Sequence, residues 1–194
     1  MNHLNAMQAV PMPPSLAALP RDVRGYPITY TVLRAPDGRV DFTTTDPLAW
    51  VTAYKLKLCG MCGKPLGRTL WFIGGPVSMH TRAFFDHPMH DDCARYALVV
   101  CPYLAMPKYL GAKARAIPEA QRIELASSNA TKPRLFGLAW TRKYKVIQYQ
   151  GDVLLQAGAW KHIEWWKDGA KIEVLTPEQK QTIQDAKQIQ TRSI

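Results

Sequence analysis

Acidic side chains are scarce in this chain. Only 15 Asp and Glu stand against 25 Lys and Arg in 194 residues, a formal charge of +10. Long apolar runs are missing as well. No window approaches the roughly 18 consecutive apolar residues that a membrane-spanning helix needs. The N-terminal stretch lacks a basic region followed by a compact apolar segment, so no secretory signal is expected and the cytoplasm is the expected location. Cysteines number four, enough for a secreted protein to pair, but two sit only three residues apart, and in a reducing compartment that spacing points to metal or redox chemistry rather than a disulfide framework. No Ser-His-Asp order, phosphate-cradling glycine loop or HExxH motif is present, and no internal repeat. The missing motifs leave no positive case for catalysis.

What the chain does carry is ordinary globular composition, 47% hydrophobic and 21% charged. That is enough for one domain, or for two small units sharing a core. The charge is unevenly placed. Residues 102–145 hold nine basic side chains against two acidic ones, whereas residues 146–194 are balanced at six each. A basic block of this kind favours a polyanion, most often nucleic acid. Its contacts would be Lys108, Lys113, Arg115, Arg122, Lys132, Arg134, Arg142, Lys143 and Lys145, since contact with a phosphate needs only charge and reach. The run Trp140-Thr141-Arg142-Lys143-Tyr144-Lys145 interleaves aromatics with cations and could stack bases. Aromatics on strands more commonly pack in a core. A solvated basic surface and an acidic protein partner are the competing readings.

Four segments follow from the pattern. Residues 1–20, punctuated by Pro11, Pro13, Pro14 and Pro20, read as a mobile arm. Residues 21–110 open with alternating Ile28, Tyr30 and Val32, then Val40 and Phe42, around the turn Pro36-Asp37-Gly38. That predicts a β-hairpin. Asp46-Pro47 predicts an N-cap and first helical position for a helix running to the cysteines. Thr69–Gly74 and Val77–Phe85 predict two strands separated by Gly74-Gly75-Pro76. Asp91–Cys101 predicts a helix stopped by Pro102. Residues 111–175 hold the basic segment, with a short helix around Pro118–Ser127. Strands follow at Leu135–Trp140, Lys145–Tyr149, Val153–Gln156 and His162–Trp166. Residues 176–194 begin with the capping box Thr176-Pro177-Glu178-Gln179 and form a polar helix with only Ile183, Ala186 and Ile189 to bury.

The sharpest signal is Cys59-Gly60-Met61-Cys62-Gly63. A Cys-x2-Cys turn presents two thiolates to one metal, and glycines permit the tight backbone this demands. Backbone N–H groups in such a turn can face the sulfurs. His90 and Cys93, at a second x2 spacing where a helix begins, complete a tetrahedral set for zinc. Four protein ligands make a closed, structural site. A redox pair and four unliganded core residues are the alternatives, though no βαβ pattern surrounds the cysteines. His80 and His87 lie nearby as other nitrogen donors. Cys101 lies about 12 Å further along the same helix than Cys93, too far to share one ion.

The order Cys-x2-Cys, then His-x2-Cys at a helix start, resembles a treble-clef zinc finger over residues 56–101, with the ligand order of the first LIM site but a longer loop. With the strand pattern on either side of it, this predicts an α+β fold: a zinc-stabilised treble clef with an N-terminal β-hairpin and a C-terminal, mostly antiparallel sheet. Some HNH nucleases share that layout, and Asp86-His87 invites the comparison. His87 is only three residues before His90, however, which leaves no room for a catalytic metal. The segments Arg24-Gly25-Tyr26-Pro27, Leu58–Gly67, Pro88-Met89-His90, Cys101-Pro102 and Glu164-Trp165-Trp166 resemble a group of short, uncharacterised bacterial and phage proteins. That likeness implies one coherent unit around the cysteines and no particular activity. The functional expectation is a non-enzymatic, zinc-binding protein that contacts nucleic acid. A phage or mobile-element module that inhibits a host protein comes second, and a metal-dependent nuclease third.

Overall fold

The computed structural model describes residues 10–105, 135–149 and 151–189. The described chain is α+β, and all its strand pairs are antiparallel. β1 (Val32–Arg34) and β2 (Val40–Thr45) form the N-terminal hairpin around Pro36-Asp37-Gly38. Gly38 supplies a φ of +83°, and its N–H bonds back to the Ala35 carbonyl. The hairpin leads into a helix, Pro47–Leu56, numbered α2 because a four-residue turn of helix (α1, Pro14–Ala17) precedes it. Asp46 caps α2 by accepting hydrogen bonds from the Leu48 and Ala49 N–H groups, and Pro47 fills the first helical position, as expected.

A four-stranded sheet in the order β3-β5-β8-β9 organises the rest. Its strands are β3 (Leu70–Gly74), β5 (Phe136–Thr141), β8 (His162–Lys167) and β9 (Ala170–Ile172). Strand alternation sends successive side chains to opposite faces. One face carries Trp71, Phe136, Leu138 and Trp166, packed with Ala94 and Leu98 of α4 (Asp91–Val100). The other carries Leu70, Phe72 and Ala139 against Met79, Phe84 and Ala157. This second layer comes from α3 (Pro76–Thr81) and from a three-stranded sheet of β4 (Ala83–Phe84), β7 (Asp152–Ala157) and β6 (Tyr144–Tyr149).

The structure departs from the sequence pattern in several places. Val77–Phe85 is not one strand: Pro76–Thr81 is helical and only Ala83–Phe84 is extended. Pro76 follows Gly75 at the first helical position, where a missing N–H does no harm. Burial of Met79 against the sheet and a hydrogen bond from Trp160 Nε1 to the Met79 carbonyl (2.9 Å) then hold the turn. Arg82, with φ +59°, ends it. Pro102 does not simply terminate α4: it starts a further turn of helix, α5 (Pro102–Ala105). The first hairpin strand begins at Val32 rather than Ile28, and β9 pairs beyond the Asp168-Gly169 turn.

Residues 10–20, within the stretch read as a mobile arm, are docked. Leu16 is 0% exposed and belongs to the same core cluster as Cys59 and Cys93. Burial of one leucine is worth about 2 kcal/mol. The helix expected around Pro118–Ser127 lies outside the described residues. α6 (Pro177–Ile189) has the reciprocal capping box of its sequence, with the Thr176 N–H donating to Gln179 Oε1 and the Gln179 N–H to Thr176 Oγ1. It packs on α3, with Ala186 buried.

Candidate metal centre

Cys59 follows α2 after a left-handed Lys57 (φ +52°) that turns the chain out of the helix. Leu58 and Pro65 then bridge, pinching the intervening residues into a closed knuckle. Inside it, the Cys59 N–H donates to the Lys64 carbonyl and the Gly63 N–H to the Cys59 carbonyl, both at 2.9 Å. The backbone N–H of Cys62 faces the Cys59 sulfur, and that of Lys64 faces the Cys62 sulfur. The two glycines act differently. Gly63 takes φ +69°, and a Cβ there would stand 2.6 Å from the Tyr30 ring. Gly60 needs no unusual φ, but its missing Cβ leaves room for His87, 2.9 Å from where that atom would be.

The other half arrives from across the sheet. Trp71 in β3 exchanges both backbone hydrogen bonds with Met89, at 3.1 and 2.8 Å. That places His90 at the N-cap of α4 and Cys93 in its first turn. Ligand atoms of Cys59, Cys62, His90 and Cys93 all lie within 4.8 Å of one another. Cys62 Sγ is 3.4 Å and Cys93 Sγ 4.0 Å from His90 Nδ1. Tetrahedral zinc at ordinary bond lengths separates its ligand atoms by about 3.5–3.8 Å, so the spacing is compatible with that ion. The four residues are close enough to hold one metal, with no fifth protein donor among the described residues of the cluster.

The surroundings agree with that chemistry. His90 Nε2 donates to the Pro65 carbonyl at 3.0 Å. A carbonyl only accepts, so this bond puts the proton on Nε2 and leaves the Nδ1 lone pair facing the sulfurs. Metal-ligating histidines are commonly oriented this way. Ser15 Oγ lies 3.5 Å from Cys93 Sγ and offers a hydroxyl to the sulfur. Left to themselves, the thiols resist ionising together. A hydrogen bond from Cys62 favours the Cys59 thiolate, but Cys93 and burial outweigh it and push Cys59 up to about 11. Cys62 is pushed up too, by Cys59 first and burial second. A dication is the partner that makes several buried thiolates stable at neutral pH.

The remaining sequence candidates fall elsewhere. Cys101 ends α4 and is outside the cluster. His80 is exposed on α3. His87 is only 2% exposed, with its ring edge-on to Trp50 at 4.9 Å and neither ring nitrogen hydrogen-bonded. Burial holds it neutral, down to about 4. Of the basic candidates, Arg142, Lys143 and Lys145 are exposed at the turn from β5 to β6 and along β6. Lys108, Lys113, Arg115, Arg122, Lys132 and Arg134 lie outside the described residues.

Sequence reasoning missed Ser15 and the side chains that lock α4 to the sheet. Arg95 donates to both oxygens of Glu164 at 2.9 Å and to Asp91 at 2.7 Å, and its guanidinium lies 5.3 Å from the Trp71 ring centre. An Asp91-x3-Arg95 pair was legible at helical spacing, but nothing local announces Glu164. Comparison with protein-family models, with curated proteins and with solved structures finds no match for this chain.

Proposed function

We propose that the Cys59–Cys62–His90–Cys93 cluster holds one structural zinc ion and that the protein binds nucleic acid through its basic surface, without catalysis. The observation that carries the first half is the convergence of three sulfurs and one imidazole within 4.8 Å, with the other ring nitrogen of that imidazole 3.0 Å from the Pro65 carbonyl. Knuckle, returning strand and ligand-bearing helix follow each other as in a treble clef. The segment Ile73–Pro88 departs from it, because a helix stands where that finger has the second strand of a hairpin. Zinc in small modules contributes on the order of 10 kcal/mol to folding.

The second half rests on charge. Arg142, Lys143 and Lys145 form an exposed basic run, and residues 102–145 carry most of the chain's excess. A protein-interaction role is the second reading. It is favoured by apolar side chains exposed along α2, with Leu48 at 76% and Leu56 at 63%. The burial of His87 leaves it no access to a substrate phosphate and weighs against a nuclease.

The deciding experiment is metal content of the purified chain beside Cys62→Ser, followed by oligonucleotide binding across a salt series. One zinc per chain, lost in the variant, supports the scaffold. Affinity that falls steeply with salt supports the polyanion. Metal-free protein of unchanged stability would refute the first claim, and salt-independent or absent binding the second.

A further inference from the structure

A groove opens where the zinc knuckle runs into the sheet. Its volume is about 580 Å³, and among the described residues it is lined by Arg68, Thr69, Trp140 and Arg142. The fold brings these four together from two places. Gly67-Arg68-Thr69 leads out of the knuckle into β3, and Leu70 pairs with Thr141, so the chain just before β3 lies beside Arg142, the residue that follows β5. Arg142 lies in the turn just after β5, whereas Trp140 points to the β5 face that also carries Phe136 and Leu138. This is the face covered by α4 further along the sheet, and at this end it is open.

Trp140 is half-buried. One side of it packs on Trp71, with ring centres 6.3 Å apart, and the rest lines the groove. Among the described residues neither Arg68 nor Arg142 is ion-paired, and both are exposed. Glu164, a carboxylate on that face, is already held by Arg95 and His162. Two unneutralised guanidiniums flanking an indole make an arrangement suited to a base between phosphates. The indole offers a π-face to any base, and the guanidiniums offer forked donors to the phosphates on either side. A duplex keeps its base faces stacked inside and cannot use the indole this way.

We propose that this groove is a subsite for single-stranded nucleic acid, with one base stacked on Trp140 and the adjoining phosphates held by Arg68 and Arg142. The inference rests on the nucleic-acid reading above and narrows it to unpaired strands. The zinc site contributes to the groove: the knuckle closed by Leu58–Pro65 and by His90 Nε2 on the Pro65 carbonyl sets where Arg68 emerges.

The test uses the full zinc-loaded chain and fluorescein-labelled oligonucleotides of about 15 nucleotides: oligo-dT, oligo-rU and a duplex of the same length. Anisotropy titrations across salt are run for wild type, Arg68→Ala/Arg142→Ala, Trp140→Leu and Lys143→Ala/Lys145→Ala. Both single strands should bind more tightly than the duplex. Losing two phosphate contacts should weaken single-strand binding at least tenfold and reduce the salt slope by about 1.4. Trp140→Leu should cost roughly tenfold on single strands with the slope unchanged. The Lys143/Lys145 variant should lower the slope yet keep the single-strand preference. The arginine variant changes only exposed side chains, so it remains informative if Trp140→Leu fails to fold. Binding by wild type that the arginine variant leaves intact, or equal affinity for duplex, would overturn the groove and spare the broader reading. No binding of any oligonucleotide by wild type would overturn both. Preference between oligo-dT and oligo-rU assigns the natural strand.

Discussion

Arg95 and Glu164 meet through two parallel hydrogen bonds of 2.9 Å, joining the helix that carries Cys93 to a central strand of the sheet. Arg95 lies two residues after Cys93 in that helix, and Glu164 is 9% exposed. The fork-to-fork geometry fixes the helix rotationally as well as in distance, and stacking of the guanidinium on Trp71 adds a second restraint.

Glu164→Gln should destabilise the protein at neutral pH by about 2 kcal/mol, below the value for a fully buried pair because Arg95 is partly exposed. The Arg95 hydrogen bonds hold the Glu164 carboxyl down to about 2, from an ordinary value of 4.5. A depressed carboxyl stabilises the fold above its unfolded pKa and loses that contribution as pH falls through the folded one. The gap between wild type and variant in urea denaturation should therefore be full above about pH 4.5 and close between 4.5 and 2. A gap that stays constant over that range would contradict the assignment.

His87 adds an acid sensitivity at higher pH. Burial holds it down to about 4, so the unfolded chain takes up a proton below about 6.5 while the folded chain does not. Stability should fall as pH drops from 6.5 towards 4. His87→Leu should flatten this part of the profile, read as the difference between paired thermal melts at fixed zinc. Parallel profiles would show that the ring titrates as freely in the folded state.

Gly63→Ala should destabilise the knuckle by about 2 kcal/mol, from a side chain at positive φ together with a clash on Tyr30. Tyr30→Ala in the same chain should relieve the steric part and leave the backbone part. Thermal melts of the two single variants and the double close the cycle; strict additivity would mean that Tyr30 is not the obstacle.

Ser15→Ala should leave the fold intact and weaken zinc retention about tenfold, because it removes the hydroxyl 3.5 Å from Cys93 Sγ. Competition with a coloured chelator measures this directly. Unchanged zinc affinity would reduce the N-terminal turn to a packing element.

The parts of the molecule legible in sequence are those governed by neighbours a few residues apart. Asp46-Pro47 at the start of α2, the Pro36-Asp37-Gly38 turn, the Thr176–Gln179 box and the Cys-x2-Cys knuckle each satisfy their own backbone within one turn. Their chemistry therefore shows in composition and spacing alone. His90-x2-Cys93 was legible for the same reason, since a helix start dictates where both side chains go.

Pro76–Thr81 was not legible, because its apolar content suits a strand as well as a helix. The choice was made by Met79 finding the second face of the sheet and by Trp160 binding its carbonyl. Leu16 and Ser15 belong to a proline-rich stretch with no period, and only the core around Cys93 gives them a place. The amino-acid sequence by itself determined the hairpin, the caps and the four ligand-type residues, since local sterics and hydrogen bonding suffice for each. The tertiary structure alone decided that these four converge, that Glu164 reaches Arg95 across 69 residues, and that Arg68 stands beside Trp140 and Arg142. Those juxtapositions come from strand register and layer packing, which are properties of the whole chain and leave no trace at any single position.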